Sequence, residues 1–247
     1  MIDPQAVHDQ GAEFALRIME TLARILPSGD LGFNAVATAG KHQAYVVVSQ
    51  AEDLGLSLTV NGRRVARLLV EYRCTLSDAS KMLAVKKSIF KVNLEESSFP
   101  MFALDFVHDS RSDAPAAHWN VYANRKDVTR ALQQAGSSRR GSRNRRSARK
   151  ASGVVGAMHF TVGGHRFRPC LEDVLDMLWS EIGIDVRDTA RDAINEGRRS
   201  WRKVQLAAAV SDDPQTAVSE LVRLGVPINV AAIPAHLTSR DDRLTAF

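Results

Sequence analysis

MHFTVGGHRFRPC (residues 158–170) sets Met158, Phe160 and Val162 against His159 and Thr161, then breaks at Gly163-Gly164. Strict alternation is the signature of a strand with one buried face. Three residues after Pro169, the apolar positions change period. In CLEDVLDMLWSEIG (170–183), Leu171, Val174, Leu175, Leu178 and Ile182 fall at helical spacing. The stretch therefore reads as strand, corner, helix. Five residues cannot found a core of their own, so 158–162 is expected to complete a sheet that begins elsewhere.

That sheet lies upstream. AYVVVSQ (44–50), LSLTV and RRVARLLVEYRC around Asn61-Gly62, KMLAVKKSIFKVNL (81–94), MFALDFVH (101–108) and HWNVYAN (118–124) are β-branched or alternating. Asn-Gly favours a two-residue hairpin because both positions accept positive φ. Short connections between consecutive strands favour antiparallel pairing. The expectation is an α+β fold: a meander of five or six strands before residue 125, with one helix-covered face. An N-terminal helix over 4–26 opens on Asp3-Pro4, with Phe14, Ile18, Leu22 and Leu26 in line. A short helix is expected at 127–136. A C-terminal helical layer follows: 170–183, about 187–210 with Trp201, Val204 and Ala208 in line, and a last helix starting at Asp213-Pro214. Gly225 stands at its left-handed cap. The hairpin of the last two helices is expected to pack onto that layer. The tail after Gly225 is loosely patterned.

Between the upstream strands and 158–162 lies RRGSRNRRSARK (139–150), with seven basic residues and no acid. Removing those seven from the 33 lysines and arginines leaves 26 against 28 acids, so the rest of the chain is at −2. The overall charge of +5 belongs to this one segment, not to a basic face. The run offers nothing to bury and reads as a disordered linker. The chain divides into a helix and sheet over 1–136, a linker over 137–153, and a completing strand with helices over 154–247. The outer parts form one composite domain.

Alternation assigns the second face of the sheet. Arg67, Glu71, Arg73, Lys87, Asp105, His118, Asn120, Tyr122 and His159 fall opposite the apolar positions and are expected in solvent. Two chemistries follow from that face. His118 with His159 has the residue types for general acid–base work near neutrality, with Glu71 or Asp105 orienting a ring and Arg67, Arg73 or Lys87 holding a phosphate or stabilising developing charge. Such a set suits metal-independent RNA cleavage. The other reading is a solvated face without chemistry. The run Arg139, Arg140, Arg143, Arg145, Arg146, Arg149 and Lys150 would bind nucleic acid, or an acidic protein partner, through phosphate or carboxylate contacts. It has no interleaved aromatics, so base stacking is not indicated.

Other patterns are weaker. No metal is expected: His159 and His165 are six apart, with no H-E-x-x-H and no Cys-x-x-Cys. Gly163-Gly164 lacks the spacing of a phosphate loop, and no cofactor is expected. Cys170, at a helix start near His165, reads either as a thiol activated by the helix end or as a small cap residue. QLAAAVSDDPQTAVSELVRLG (205–225) has the outline of a helix-turn-helix, but Asp212 and Asp213 have the wrong sign for phosphates. Two cysteines, no secretion signal and no membrane-length apolar run point to a reduced, cytoplasmic setting.

PMFALDFVHD, APAAHWNVYANR, MHFTVGGHRFRPCLEDVLDML and EGRRSWRKVQLAAAVSDDP together resemble a group of uncharacterised actinobacterial proteins, over most of the chain after about residue 30. That resemblance implies a bacterial cytosolic protein and no particular activity. Residues 101–178 also resemble, more faintly, small toxin components of bacterial toxin–antitoxin pairs. That likeness implies strands ending in histidines ahead of an L-E-D-V-L helix. The functional expectation is a non-catalytic binding or regulatory protein associated with nucleic acid. Its alternative is a histidine-dependent, toxin-like ribonuclease.

Overall fold

Residues 159–161 pair with 118–120, as the last strand of the sheet that begins upstream. The structure, a computed structural model, describes residues 4–27, 31–39, 44–51, 55–77, 82–97, 99–108, 115–122, 159–162, 166–234 and 237–245, with the side chains of 159–161 excepted. Asp3, the expected helix at 127–136, the basic run 139–150, Met158, Gly163-Gly164 and His165 lie outside the described residues.

Helix α1 (Pro4–Ile25) precedes strands β1 (Phe33–Ala39), β2 (Ala44–Gln50), β3 (Leu56–Val60), β4 (Arg63–Leu76), β5 (Leu83–Leu94), β6 (Pro100–Val107), β7 (Ala117–Val121) and β8 (His159–Thr161). Then come α2 (Leu171–Met177) with a π-helical turn (Leu178–Ile182), α3 (Ala190–Asp212), α4 (Pro214–Arg223), a 3₁₀ turn (Val230–Ala232) and α5 (Asp241–Leu244). The sheet order is β1-β2-β4-β5-β6-β7-β8, with β3 also on β4, and every pairing is antiparallel. Among the described residues, seven strands precede the basic run, one more than the upper expectation. The missed strand is β1, FNAVATA. Only Phe33 is buried in it, and small residues at an edge carry no periodic signal.

The long strand β4 organises the sheet. Its first half takes β3 and its second half takes β2, along the same edge. The break between them leaves backbone groups of β4 without a strand partner. Gln50 supplies the substitute: its amide donates to the Leu68 carbonyl (3.0 Å) and accepts from the Val70 N–H (2.9 Å). At the β3–β4 turn, Asn61 and Gly62 take φ of 51° and 76°, as the hairpin motif requires. Asp185, on the connection before α3, accepts from both turn amides and from the Thr59 hydroxyl. Those bonds, the Thr59 hydroxyl first, hold its carboxyl below the usual range.

One side of the sheet is apolar and covered. Ala66, Leu68, Val70 and Tyr72 of β4 are buried there, with Phe90 and Val92 of β5 and Leu104 and Phe106 of β6. The buried stripe of α1 is Val7, Gly11, Ala15, Ile18, Leu22 and Ile25. Phe14 borders it, meeting Tyr72 edge-on at 5.0 Å, and Tyr72 meets Phe90 at 5.4 Å. Arg187 and Thr189 cap the end of α1 by donating to the Leu26 and Arg24 carbonyls (2.9 and 2.6 Å).

Leu171, Val174, Leu175 and Leu178 of α2 and its π turn join the same core. Ile182 does not: it is exposed, because the helix widens to the π form over 178–182 and leaves the helical phase. Asp173 and Asp176 of α2 receive Arg198 of α3 (2.6 and 2.8 Å), and Arg191 also reaches Asp176 (2.8 Å). In α3 the buried residues are Ala190, Ala193, Ile194, Gln205 and Asp212. Val204, expected in the buried line, is exposed. The buried face of α3 runs through Ala190, Ala193 and Ile194, and the Arg191 and Arg198 pairs with α2 flank it. The hairpin of α3 and α4 forms, with Asp213 accepting from Thr216 N as the N-cap and Gly225 at φ 80°. It meets the layer only through α3, at Gln205 and Asp212; α4 has no buried residue.

Candidate functional site

The second side of the sheet carries the polar set that alternation assigns to it. The register aligns Glu71, Ile89, Asp105, His118 and Thr161 across five strands, with Arg73 opposite Lys87 one step along. Asn120 stands opposite Ala103 and His159. At about 4.8 Å per strand, Glu71 lies about 14 Å from His118. Glu71 faces Lys87 instead (3.9 Å), and the Arg73 guanidinium lies over the Tyr45 ring (3.8 Å). The structure thus brings His118 together with Asp105 and Asn120, and leaves Glu71 and Arg73 apart from them. His159 is in register one step from His118; its side chain lies outside the described residues.

The solvated face expected from alternation holds at Glu71, Arg73 and Lys87 and fails at the β6–β7 end. His118 and Asn120 are each only 5% exposed. Buried polar groups are tolerated where they are bonded. Asn120 donates to Asp105 Oδ2 (2.7 Å), and His118 Nδ1 meets the Pro115 carbonyl (2.8 Å). A carbonyl only accepts, so Nδ1 carries the hydrogen. Nε2 then faces Asp105 Oδ2 at 3.9 Å. The second carboxylate oxygen, Oδ1, is buried with no hydrogen-bond partner among the described residues. Burial pushes the Asp105 carboxyl up; His118, Lys87, Asn120 and Lys91 offset only part of this.

A test follows from that shift. A carboxyl with a raised folded pKa binds its proton more tightly folded than unfolded. Its penalty is absent below the unfolded value, about 3.9, and grows as pH rises through the folded value. Asp105→Asn removes the charge and keeps an acceptor for Asn120. Denaturation should find this variant more stable than the native chain at pH 7, with the difference vanishing toward pH 3. A variant less stable at pH 7 would show that the cations, not burial, dominate.

Cys170 is the cap residue, not an activated thiol. Its backbone N–H and its thiol both reach Asp173 Oδ2 (3.0 and 3.2 Å). Burial, with Glu172 and Asp173 beside it, pushes the thiol well above its ordinary range. Among the described residues there is no group of three or more histidines, cysteines or acids able to hold a metal ion.

Two features escaped the sequence. Arg168 is buried, its guanidinium between the rings of Phe106 (3.5 Å) and Trp201 (4.7 Å) and near Gln205 (3.5 Å). Burial first, and Arg166 next, lower its pKa to about 9, so it is a cation at neutral pH. It joins the sheet to α3. The second feature is the arm from Val204 to Thr245. Leu206, Val210, Leu221, Val222, Leu224 and Val226 are all exposed there. The signal was in the sequence, as Leu-Val and Leu-Gly-Val around Arg223, but periodicity alone assigned it to packing.

Among the described residues, no helix is long and apolar enough to cross a membrane. Comparison of the chain with family models, curated proteins and solved structures finds no match.

Proposed function

We propose that the chain is a non-catalytic binding protein of the bacterial cytosol, with a regulatory role, that contacts nucleic acid through residues 139–150. The apolar side chains exposed between Leu206 and Val226 carry this reading: they offer area for contact on a chain whose His118 is shut from solvent. The concentration of seven basic groups in 139–150, on an otherwise slightly acidic chain, supplies the nucleic-acid term. Titration of labelled duplex DNA and RNA, read by anisotropy across a salt series, tests it. If all seven groups engage duplex phosphates, the slope of log K against log salt is about −6. Replacing the seven with glutamine should abolish the salt-dependent binding. Equal affinity for the neutralised chain, or no binding at low salt, overturns the nucleic-acid term.

A second reading is the histidine-dependent ribonuclease, with His118 and His159 as acid and base. The pairing of β7 with β8, one register step apart at these residues, favours it. It predicts growth arrest on expression, lost in His118→Ala with the fold retained. The burial of His118 and the distance of Glu71 and Arg73 place it second.

A further inference from the structure

We propose that two copies of this chain pair through their β1 strands, antiparallel about a two-fold axis at Val36, so that the two sheets become one with the α1 helices side by side above it. The inference makes no use of the nucleic-acid reading. β1 closes one end of the strand order, and among the described residues no strand pairs with its outer side. The Ala51 N–H donates to the Gly32 carbonyl, so residues 32, 34, 36 and 38 turn their backbone groups to β2. The N–H and C=O groups of Phe33, Ala35, Ala37 and Ala39 therefore point outward. An edge of this kind is a template for another strand, and proteins that keep it single commonly place a charge, a proline or a bulge there. FNAVATA has none of the three. Asn34, Val36, Thr38 and Ala39 are exposed, Val36 at 59%.

Helix α1 selects the partner. It lies over β1 and β2, with Gln10 and Phe14 on the flank that turns inward, toward Leu83 of β5 and Tyr72 of β4. The opposite flank, Ala12, Leu16, Met19 and Ala23, overhangs the free edge. From residue 11 to 26 the charged residues Glu13, Arg17, Glu20 and Arg24 share one narrow face, and apolar residues span about 200° from Phe14 round to Leu16, at about 100° per residue. Covering one sheet takes roughly half of that arc. Leu16 is 56% exposed. An added peptide strand would complete β1 and leave Leu16 in water. A second copy covers both, because a two-fold axis normal to the sheet keeps both helices on the same side. The register is self-complementary: Ala35 and Ala37 exchange backbone bonds with their counterparts, Val36 meets Val36, and Asn34 meets Thr38. Neither β1 nor that flank of α1 has a charge that would meet its like. α1 is about 33 Å long and β1 about 23 Å, in layers each about 10 Å deep, so the joint covers at most about 1,100 Å² over both copies. That just clears the roughly 1,000 Å² of a specific interface, and sets the expected dissociation constant in the micromolar range.

Sedimentation equilibrium of the full chain across the micromolar range tests this. The expected result is twice the chain mass at the top of the range. Ala37→Pro removes an N–H that points outward and spares the ladder to β2, so circular dichroism should be unchanged. Because the axis repeats the loss, the dissociation constant should rise at least roughly tenfold. Leu16→Glu should act in the same direction through the helix layer. Val36→Cys should form an intermolecular disulfide on mild oxidation, since the paired Cα atoms would stand about 4.5 Å apart, and the native Cys74 and Cys170 are buried. A native chain of single mass throughout overturns the proposal, whether its Ala35 and Ala37 amides exchange freely, leaving the edge for a foreign strand, or are protected, which assigns the edge to another part of this chain. A dimer indifferent to Ala37→Pro, or one that Val36→Cys does not cross-link, overturns it as well. None of these outcomes bears on the nucleic-acid titration, which is read separately.

Discussion

Gly11→Val is expected to remove 3 kcal/mol or more of stability, on the order set by overpacking combined with the poor helix fit of a β-branched residue. Gly11 faces β2 from the buried side of α1. A Cβ built there would lie 2.6 and 2.9 Å from the two Val46 methyls, well inside contact distance. Val46 is fully buried and cannot turn aside freely. The informative variant is Gly11→Ala. Helix propensity alone predicts a gain of about 1 kcal/mol. Overpacking predicts a cost of about 1–3 kcal/mol, because α1 must lift and loosen Val7, Ala15 and Ile18 as well. We expect the cost to win. Urea denaturation of Gly11→Ala, Val46→Ala and the pair checks it: the double variant should lose less than the sum of the singles. A stabilised Gly11→Ala would mean that the helix and sheet are not in close contact there.

Asp212→Ala should cost about 2–3 kcal/mol. Its carboxylate, 4% exposed, takes a two-point contact from Arg166 (2.6 and 3.0 Å). Breaking a buried pair costs about 3–5 kcal/mol when the remaining charge stays buried. Here the arginine left behind is 24% exposed and keeps some water, which sets the lower figure. The converse variant, Arg166→Ala, strands the more deeply buried group and should cost more. That asymmetry is the sharper test, read by denaturation of both singles and the double. Hydrogen exchange should show the loss first around the α3–α4 corner, where Asp212 ties the entry to α2 to the end of α3. Equal costs for the two singles would indicate a solvated pair.

The sheet was largely legible because alternation is local. Residues 65–73 declare their faces one by one, and the observed register keeps Leu68 and Val70 on one side and Arg67 and Glu71 on the other. Asn61-Gly62 fixed a turn for the same reason. The features that were not legible are those that depend on distant partners. Ile182 fits a helical stripe, but the stripe ends where the backbone widens. Val204 has the spacing of a core residue, yet the buried face of α3 runs through Ala190, Ala193, Ile194 and Gln205 instead. His118 and Glu71 share a face by parity. Parity carries no information about how many strands intervene, and the two residues are three strands apart. Arg168 carries no local sign of its burial, because Phe106 and Trp201, which enclose it, come from distant parts of the chain.

The return of β8 to the edge of β7 has a topological corollary. The peptide link from 122 to 159 joins two portions that share a single interior: seven strands with α1 before it, one strand and the remaining helices after it. The two portions clasp each other through the β7–β8 ladder and through Leu171, Val174 and Leu175. Expressed apart, each would be left with an uncovered greasy side. The molecule is thus a natural candidate for splitting into two complementing fragments, whose reunion reports on whatever brings them together.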